Sequence, residues 1–224
     1  INLYIEQNLN LEKIREKSLS DNNKNYTTDI IDLLDNDLKF KIEKYLSAPD
    51  IIKKVSSCLG YSVKFRGVML FYNFHNPNTI KDEGPKLYHR DSDSLHDQVK
   101  LFILLNDINQ NNGMFYFVPK FLIKDDLRFK LLDKQKNMSI FNKWRIFDDQ
   151  LNLYLKNTKI MQKIKRFKGN AKEGLFIDTS VVYHKGGHIR DPDKYRILLQ
   201  GIYTPKLSLS HWNDNNSKII TYFK

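Results

Sequence analysis

Residues 86 to 94 read KLYHRDSDS and place a histidine and an aspartate two apart, His89 and Asp91. In an extended segment residues i and i+2 point to the same face. One imidazole and one carboxylate can then reach a single ion. Two such ligands do not hold a redox metal firmly; a third is needed, with positions left open for chemistry. Two histidines and one carboxylate on one face form the facial triad that suits non-haem Fe(II). The ordinary alternative is an aspartate that accepts a hydrogen bond from a surface histidine. With six histidines in the chain, such a pair also arises by chance.

The second half of a site would lie in FIDTSVVYHKGGHIRDPDKYRILLQGIYTP. His184 ends a strand-like run and is followed by Lys185, Gly186 and Gly187. Arg196 opens an apolar strand twelve residues after His184. A charge entering such a strand needs an anionic partner, because burying it unpaired is costly. The planar guanidinium fork suits a carboxylate. That carboxylate belongs either to a ligand or to a protein acid such as Asp178, Asp191 or Asp193. His188 competes with His184 as third ligand, but it follows a Gly-Gly turn rather than ending a strand. His96 lies in a polar loop, and His75 and His211 have no ligand context.

The elements that must position these residues fall into two regions. Residues 1 to 60 read as mostly helical. Thr28 is the expected N-cap of DIIDLLDNDLKFKIEKYL, in which Ile31, Leu34, Leu38, Ile42 and Tyr45 recur at helical spacing. Ser47 is the expected cap of a second helix, with Pro49 in its first turn and Gly60 past its end. From residue 61 the period changes. SVKFRGVMLFYNF, KLYHRD, QVKLFILLNDI, MFYFVP, KEGLFIDTSVVYH and KYRILLQGIYTP read as strands. NPNTIKDEGP and NQNNG are turns or loops. Residues 120 to 172 form a long insertion with helix-favouring text, and 206 to 224 a polar tail. The expectation is one domain over 1–224: a helical N-terminal segment over 1–60, a core over 61–205 interrupted by the insertion, and the tail. The fold class is mainly β with flanking helices, around a double-stranded β-helix (jelly-roll, cupin-like) core.

Composition narrows the classes further. The 224 residues carry a formal charge of +11, 41% apolar residues and one cysteine, Cys58. One cysteine allows no intrachain disulfide and favours a reducing, cytoplasmic setting. No apolar run approaches the roughly 20 residues that span a bilayer, so no membrane partner is expected. The lysines are scattered without an Arg-rich stripe, which disfavours nucleic acid as partner despite the charge.

Taken in order, YHRDSD, VKLFILLNDINQNNGMFYFVP and GLFIDTSVVYHKGG…YRILLQGIYTP resemble the phytanoyl-CoA dioxygenase-like family of Fe(II)/2-oxoglutarate-dependent oxygenases. The resemblance spans about residues 61 to 205. It implies that His89, Asp91 and His184 bind Fe(II) and that Arg196 grips the distal carboxylate of 2-oxoglutarate, with O2 as co-reactant. It implies that Phe102 is the aromatic position beside the cosubstrate. Leu70 and Tyr72 on the preceding strand are expected to line the same pocket, Tyr72 offering a hydroxyl to a carboxylate. Tyr88, Arg90, Tyr183, Lys185 and His188 flank the triad and are candidate contacts for a small-molecule substrate. The chain departs from the family at VPKF, where a Gly-Ser-His turn often follows the proline, and at Gly186, where some members carry serine. Leu198 offers no hydroxyl two residues after the arginine, so a different second donor to the dicarboxylate is required. Asp91 is present, unlike in halogenating relatives, which points to hydroxylation. RILLQG lacks the Arg-x-Asn signature of nucleic-acid dealkylating relatives. The activity implied is hydroxylation of a small molecule, with succinate and CO2 as co-products. The alternatives are a non-catalytic jelly-roll binding module and an oxygenase acting on protein or nucleic acid.

Overall fold

The computed structural model describes residues 1–21, 26–78, 84–91, 98–119, 145–147, 151 and 164–206, and the backbone of 220–223. Four helices come first: α1 (Asn2–Asn8), α2 (Leu11–Asp21), α3 (Asn36–Leu46) and α4 (Pro49–Leu59). Between α2 and α3 a short strand intervenes, β1 (Thr27–Asp29). Then follow β2 (Val63–Phe74), β3 (Val99–Leu104), β4 (Phe115–Val118), β5 (Lys165–Phe167), β6 (Gly174–Asp178), β7 (Tyr183–Gly186), β8 (Tyr195–Pro205) and β9 (Ile220–Phe223). No helix among the described residues is long and apolar enough to cross a membrane.

The strands form two antiparallel sheets. The larger runs β1-β2-β8-β3-β6-β9 and the smaller β5-β4-β7. Every pairing is antiparallel, and most neighbours are distant in sequence, as in a jelly roll closed by crossovers. Strand periodicity divides the large sheet's side chains into two cores. Leu70, Tyr72, Phe74, Val99, Leu101, Phe176, Ile197, Leu199 and Tyr203 pack outward against Ile42, Leu46, Val55 and Leu59 of α3 and α4. Phe102, Leu104, Leu175, Ile177 and Leu198 face inward, towards Phe115 and Phe117 of β4. Both faces of β3 and β8 are therefore covered, which explains their unbroken apolar text.

Four expectations are corrected. Thr28 does not cap a helix: Thr27–Asp29 pairs with β2, and the Asp29 carboxylate accepts from the N–H of Leu70 and of Ile31. The helix begins later, where Asp35 accepts from Leu38 N at 2.7 Å. Ser47 is likewise no N-cap; Ala48 holds that position, with Pro49 at N1 and Gly60 closing α4 in the left-handed conformation at φ 79°. The core resumes inside the expected insertion, since β5 pairs with β4. The polar tail contributes β9, which extends the large sheet beside β6. The remainder of 120–172 and of the tail lies outside the described residues.

Candidate metal centre

His89 and His184 sit directly opposite each other. His89 N donates to His184 O, and His184 N to His89 O, each at 2.9 Å. This hydrogen-bonded antiparallel bridge adds His89 to the edge of the small sheet. It brings the imidazole centroids to 4.4 Å. Asp91, two residues on, is anchored by its own N–H to Thr179 O at 2.8 Å. One ligand atom from each of His89, Asp91 and His184 lies within 4.8 Å of the others.

The side chains are prepared as ligands. His89 Nδ1 lies 2.8 Å from Leu87 O and His184 Nδ1 3.0 Å from Val182 O. A carbonyl can only accept, so both rings carry Nδ1–H and turn the lone pair of Nε2 outward. Each Nε2 is 3.6 Å from an Asp91 oxygen, His89 from Oδ1 and His184 from Oδ2. Burial lowers both imidazoles, His89 to about 3, so both are neutral at pH 7. Burial by itself raises the Asp91 carboxyl, but the charges of His184, Lys100 and His89 outweigh it and hold it below the usual carboxylate range. With the imidazoles neutral, the Lys100 ammonium carries that effect at pH 7. Its Nζ is 2.7 Å from Asp91 Oδ2, a charge-assisted hydrogen bond. Two outward Nε2 lone pairs and one carboxylate, with a ligand atom of each within 4.8 Å of the others, fit a divalent transition metal.

Arg196 opens β8 on the inner face, opposite Asn73 of β2. It is buried, with Nη1 donating to Gly113 O and Nη2 to Asn73 Oδ1 at 3.1 Å. Nε has no partner. Desolvation pulls the guanidinium down to about 10, still cationic at neutral pH. Among the described residues no carboxylate pairs with it: Asp178 accepts from Ser180 and Tyr61, and Asp191 from Asp193 N. The Gly113 carbonyl is presented by the NNG turn, where Gly113 has φ +84° and a Cβ would come 2.8 Å from Gly187 O. That turn is why the motif needs glycine.

The triad and Arg196 open onto one cavity of about 320 Å³. Its walls are Met69, Phe71, Phe102, Phe115 and Leu198, with Gln200, Asn73, Tyr26 and Thr27 as polar points. Among the described residues its lining includes Lys100, Arg145 and Arg196 together with the Asp91 carboxylate.

Phe102 lies on this wall, 4.9 Å by ring centroid from Phe115, which in turn stacks on His184 at 5.4 Å. Leu70 and Tyr72 do not. They occupy the other face of β2, in the core beneath the helices, and Met69, Phe71 and Asn73 take the inward positions. The same alternation removes four expected substrate contacts. Tyr88 and Tyr183 pack in a separate cluster with Val118 and Ile146. Arg90 covers the Tyr183 ring, and Lys185 lies over Tyr88 and Tyr116. His188 is outside both the ligand cluster and the cavity wall. His75 Nδ1 meets Ile189 O at 2.9 Å. His96 and His211 lie outside the described residues. Sequence reasoning missed Asn73, Gly113, Gln200 and Lys100; Lys100 carried a readable signal, as a charge inside apolar QVKLFILL.

No family model and no curated protein matches the chain. Solved structures match in fold. The non-heme alpha ketoglutarate dependent epimerase SnoN from nogalamycin biosynthesis aligns with a TM-score of 0.50 at 12% identity, over 80% of this chain and 60% of that one. The carbocyclase SnoK, also non-heme and alpha ketoglutarate dependent, aligns at 0.50 and 14% identity, over 87% and 74%. The chain thus spans about three fifths of SnoN. At such identities the likeness is one of fold alone: a cupin-like jelly roll, shared with SnoN and SnoK.

Proposed function

We propose that the chain is an Fe(II)- and 2-oxoglutarate-dependent dioxygenase of the phytanoyl-CoA dioxygenase-like kind, hydroxylating a small molecule. One observation carries this. Three ligand atoms converge within 4.8 Å, on a cavity that also holds a buried arginine with no carboxylate partner among the described residues. SnoN and SnoK, described as alpha ketoglutarate dependent, support the class through their shared fold. Those two are an epimerase and a carbocyclase; hydroxylation here follows from the sequence resemblance.

His89 Nε2, Asp91 and His184 Nε2 would hold the ion. Bound there, ferrous iron supplies oxidative chemistry in which substrate C–H, 2-oxoglutarate and O2 become C–OH, succinate and CO2. The protein's share is geometry. Leu87 O and Val182 O keep the two Nε2 atoms unprotonated and aimed. Arg196 would clasp the far carboxylate of 2-oxoglutarate, with Nε still free to donate and Asn73 fixing the fork. Phe71, Phe102, Phe115 and Leu198 line the space between with apolar surface.

Purified protein with Fe(II), 2-oxoglutarate and O2 should release succinate slowly even without substrate, and His184→Ala or Asp91→Ala should abolish it. Wild-type protein that neither binds a divalent ion nor releases succinate would sink the proposal.

A further inference from the structure

Lys100 sits on the inner face of β3, two residues before Phe102, and lines the cavity. Its ammonium lies 2.7 Å from Asp91 Oδ2, with 14% and 15% of the two side chains exposed. Oδ2 is also the oxygen nearest His184 Nε2, at 3.6 Å. The lysine therefore stands on the oxygen that an ion between Asp91 and His184 would use. We propose that Lys100 is a stand-in cation for the triad: it neutralises Asp91 while no ion is bound and must yield that oxygen when a divalent ion enters. This rests on the reading that the triad holds such an ion.

A buried carboxylate without a counter-charge is costly. Lys100 removes that cost in the ion-free protein, so Asp91 stays turned towards the two imidazoles. The same ammonium then opposes the ion, because two cations on one carboxylate repel, and the burial of both side chains weakens the screening between them. The flexible four-carbon stem of lysine lets the ammonium swing away. It would swing into the cavity beside Gln200 and Phe102, where an acid group of a bound molecule becomes its natural partner. The rival role is orientation: outer partners that hold a ligand carboxylate raise ion affinity, and their loss typically costs about 10–100-fold. The two roles predict opposite signs for the same mutant.

The test is Mn2+ binding, with Mn2+ alone as the probe, followed by calorimetry and by the spin resonance of free Mn2+. Lys100→Met should bind Mn2+ about tenfold tighter than wild type or better, about 1.4 kcal/mol. Lys100→Arg keeps the charge and should bind no tighter than wild type. Metal-free Lys100→Met should unfold at lower temperature, and Mn2+ should raise its midpoint by more than it raises the wild type's. Lys100→Gln removes the charge but stays polar; it serves if the methionine variant folds poorly, and the same tightening is expected. Equal or weaker Mn2+ binding by the uncharged variants would overturn the proposal in favour of orientation. Mn2+ binding by neither wild type nor the uncharged variants would instead bring down the metal-centre reading beneath it.

Discussion

Arg196→Met should change binding and stability by very different amounts. The wild-type guanidinium is buried, donates to Gly113 O and Asn73 Oδ1, and leaves Nε unpartnered. If its partner is the far carboxylate of 2-oxoglutarate, methionine removes a charge-assisted fork and leaves the ligand's anion buried unpaired. Losing one side of such a pair costs about 2–5 kcal/mol, or roughly 30- to 3,000-fold in 2-oxoglutarate affinity at about 1.4 kcal/mol per tenfold. In the ligand-free protein the balance differs. Two acceptors lose their donors, at about 1–3 kcal/mol each. Against that, a desolvated cation is deleted, a relief of several kcal/mol. The two nearly cancel, so stability should move by no more than about 2 kcal/mol, equivalent to several degrees in Tm. The assays are a 2-oxoglutarate titration of Mn2+-loaded protein and urea unfolding of metal-free protein. Arg196→Lys, which keeps the charge but not the fork, should fall between. A variant that loses more than about 4 kcal/mol of stability yet binds 2-oxoglutarate like wild type would refute the reasoning and make Arg196 a structural pin between β8 and the NNG turn.

Four further outcomes are expected. His184→Ala should weaken Mn2+ binding by at least about 100-fold, beyond what losing an outer partner costs; titration calorimetry reads it. Stability of the metal-free protein should fall as pH drops from about 6.5 towards 3, because His89 is held near 3 in the fold while the unfolded chain takes its proton near 6.5. The slope is at most about 1.4 kcal/mol per pH unit from His89, and urea midpoints that stay flat between pH 7 and 4 would contradict it. Gly113→Ala places a Cβ at φ +84° and 2.8 Å from Gly187 O; it should cost about 2 kcal/mol in unfolding experiments and raise the 2-oxoglutarate Kd by displacing the carbonyl that holds Arg196. Tyr72→Phe should leave 2-oxoglutarate affinity within about twofold of wild type, a change of under about 0.5 kcal/mol, since Tyr72 packs under the helices, away from the cavity.

What could be read from the sequence was what depends on local spacing. His-x-Asp fixes two ligands on one face whatever the rest does, and the arginine entering RILLQG announces a buried charge. The phase of an apolar strand is different. In GVMLFYNF both faces are buried, so alternation is present but composition does not say which half points inward. The pairing of Asn73 with Arg196 decides it, and that is a long-range fact. Sequence reasoning puts Leu70 and Tyr72 on the wrong face for this reason, and Tyr88, Arg90, Tyr183 and Lys185 for the same one. Thr28 fails differently: the text after it is helical, but the Asp29 carboxylate accepts from Leu70 N in β2 and from Ile31 N in the turn that follows, and tertiary pairing overrides local propensity. The tail hides β9 although IITYF is β-branched and aromatic text, because the polar stretch SHWNDNNSK before it sets the character of the tail as a whole.

The geometry also explains how two distant stretches of chain keep a fixed separation. The ligands belong to the small sheet, His184 on β7 and His89 bridged to it, whereas Arg196 belongs to the large one. A cavity between two sheets could drift with their packing. Here the turn before β4 links them: Gly113 O accepts from Arg196, Met114 O accepts from Gly187 N at 2.7 Å, and β4 then pairs with His184 through Phe117. The anchor and the ion ligands are thus registered through a few residues of one strand and its turn. Asn112 stiffens that turn by accepting from Asn109 N at 2.6 Å and donating to Asp107 O at 2.7 Å. If the triad holds an ion and Arg196 a dicarboxylate, as proposed, the NNG turn sets the distance between them, and changes there should alter which dicarboxylate length is accepted before they alter metal affinity.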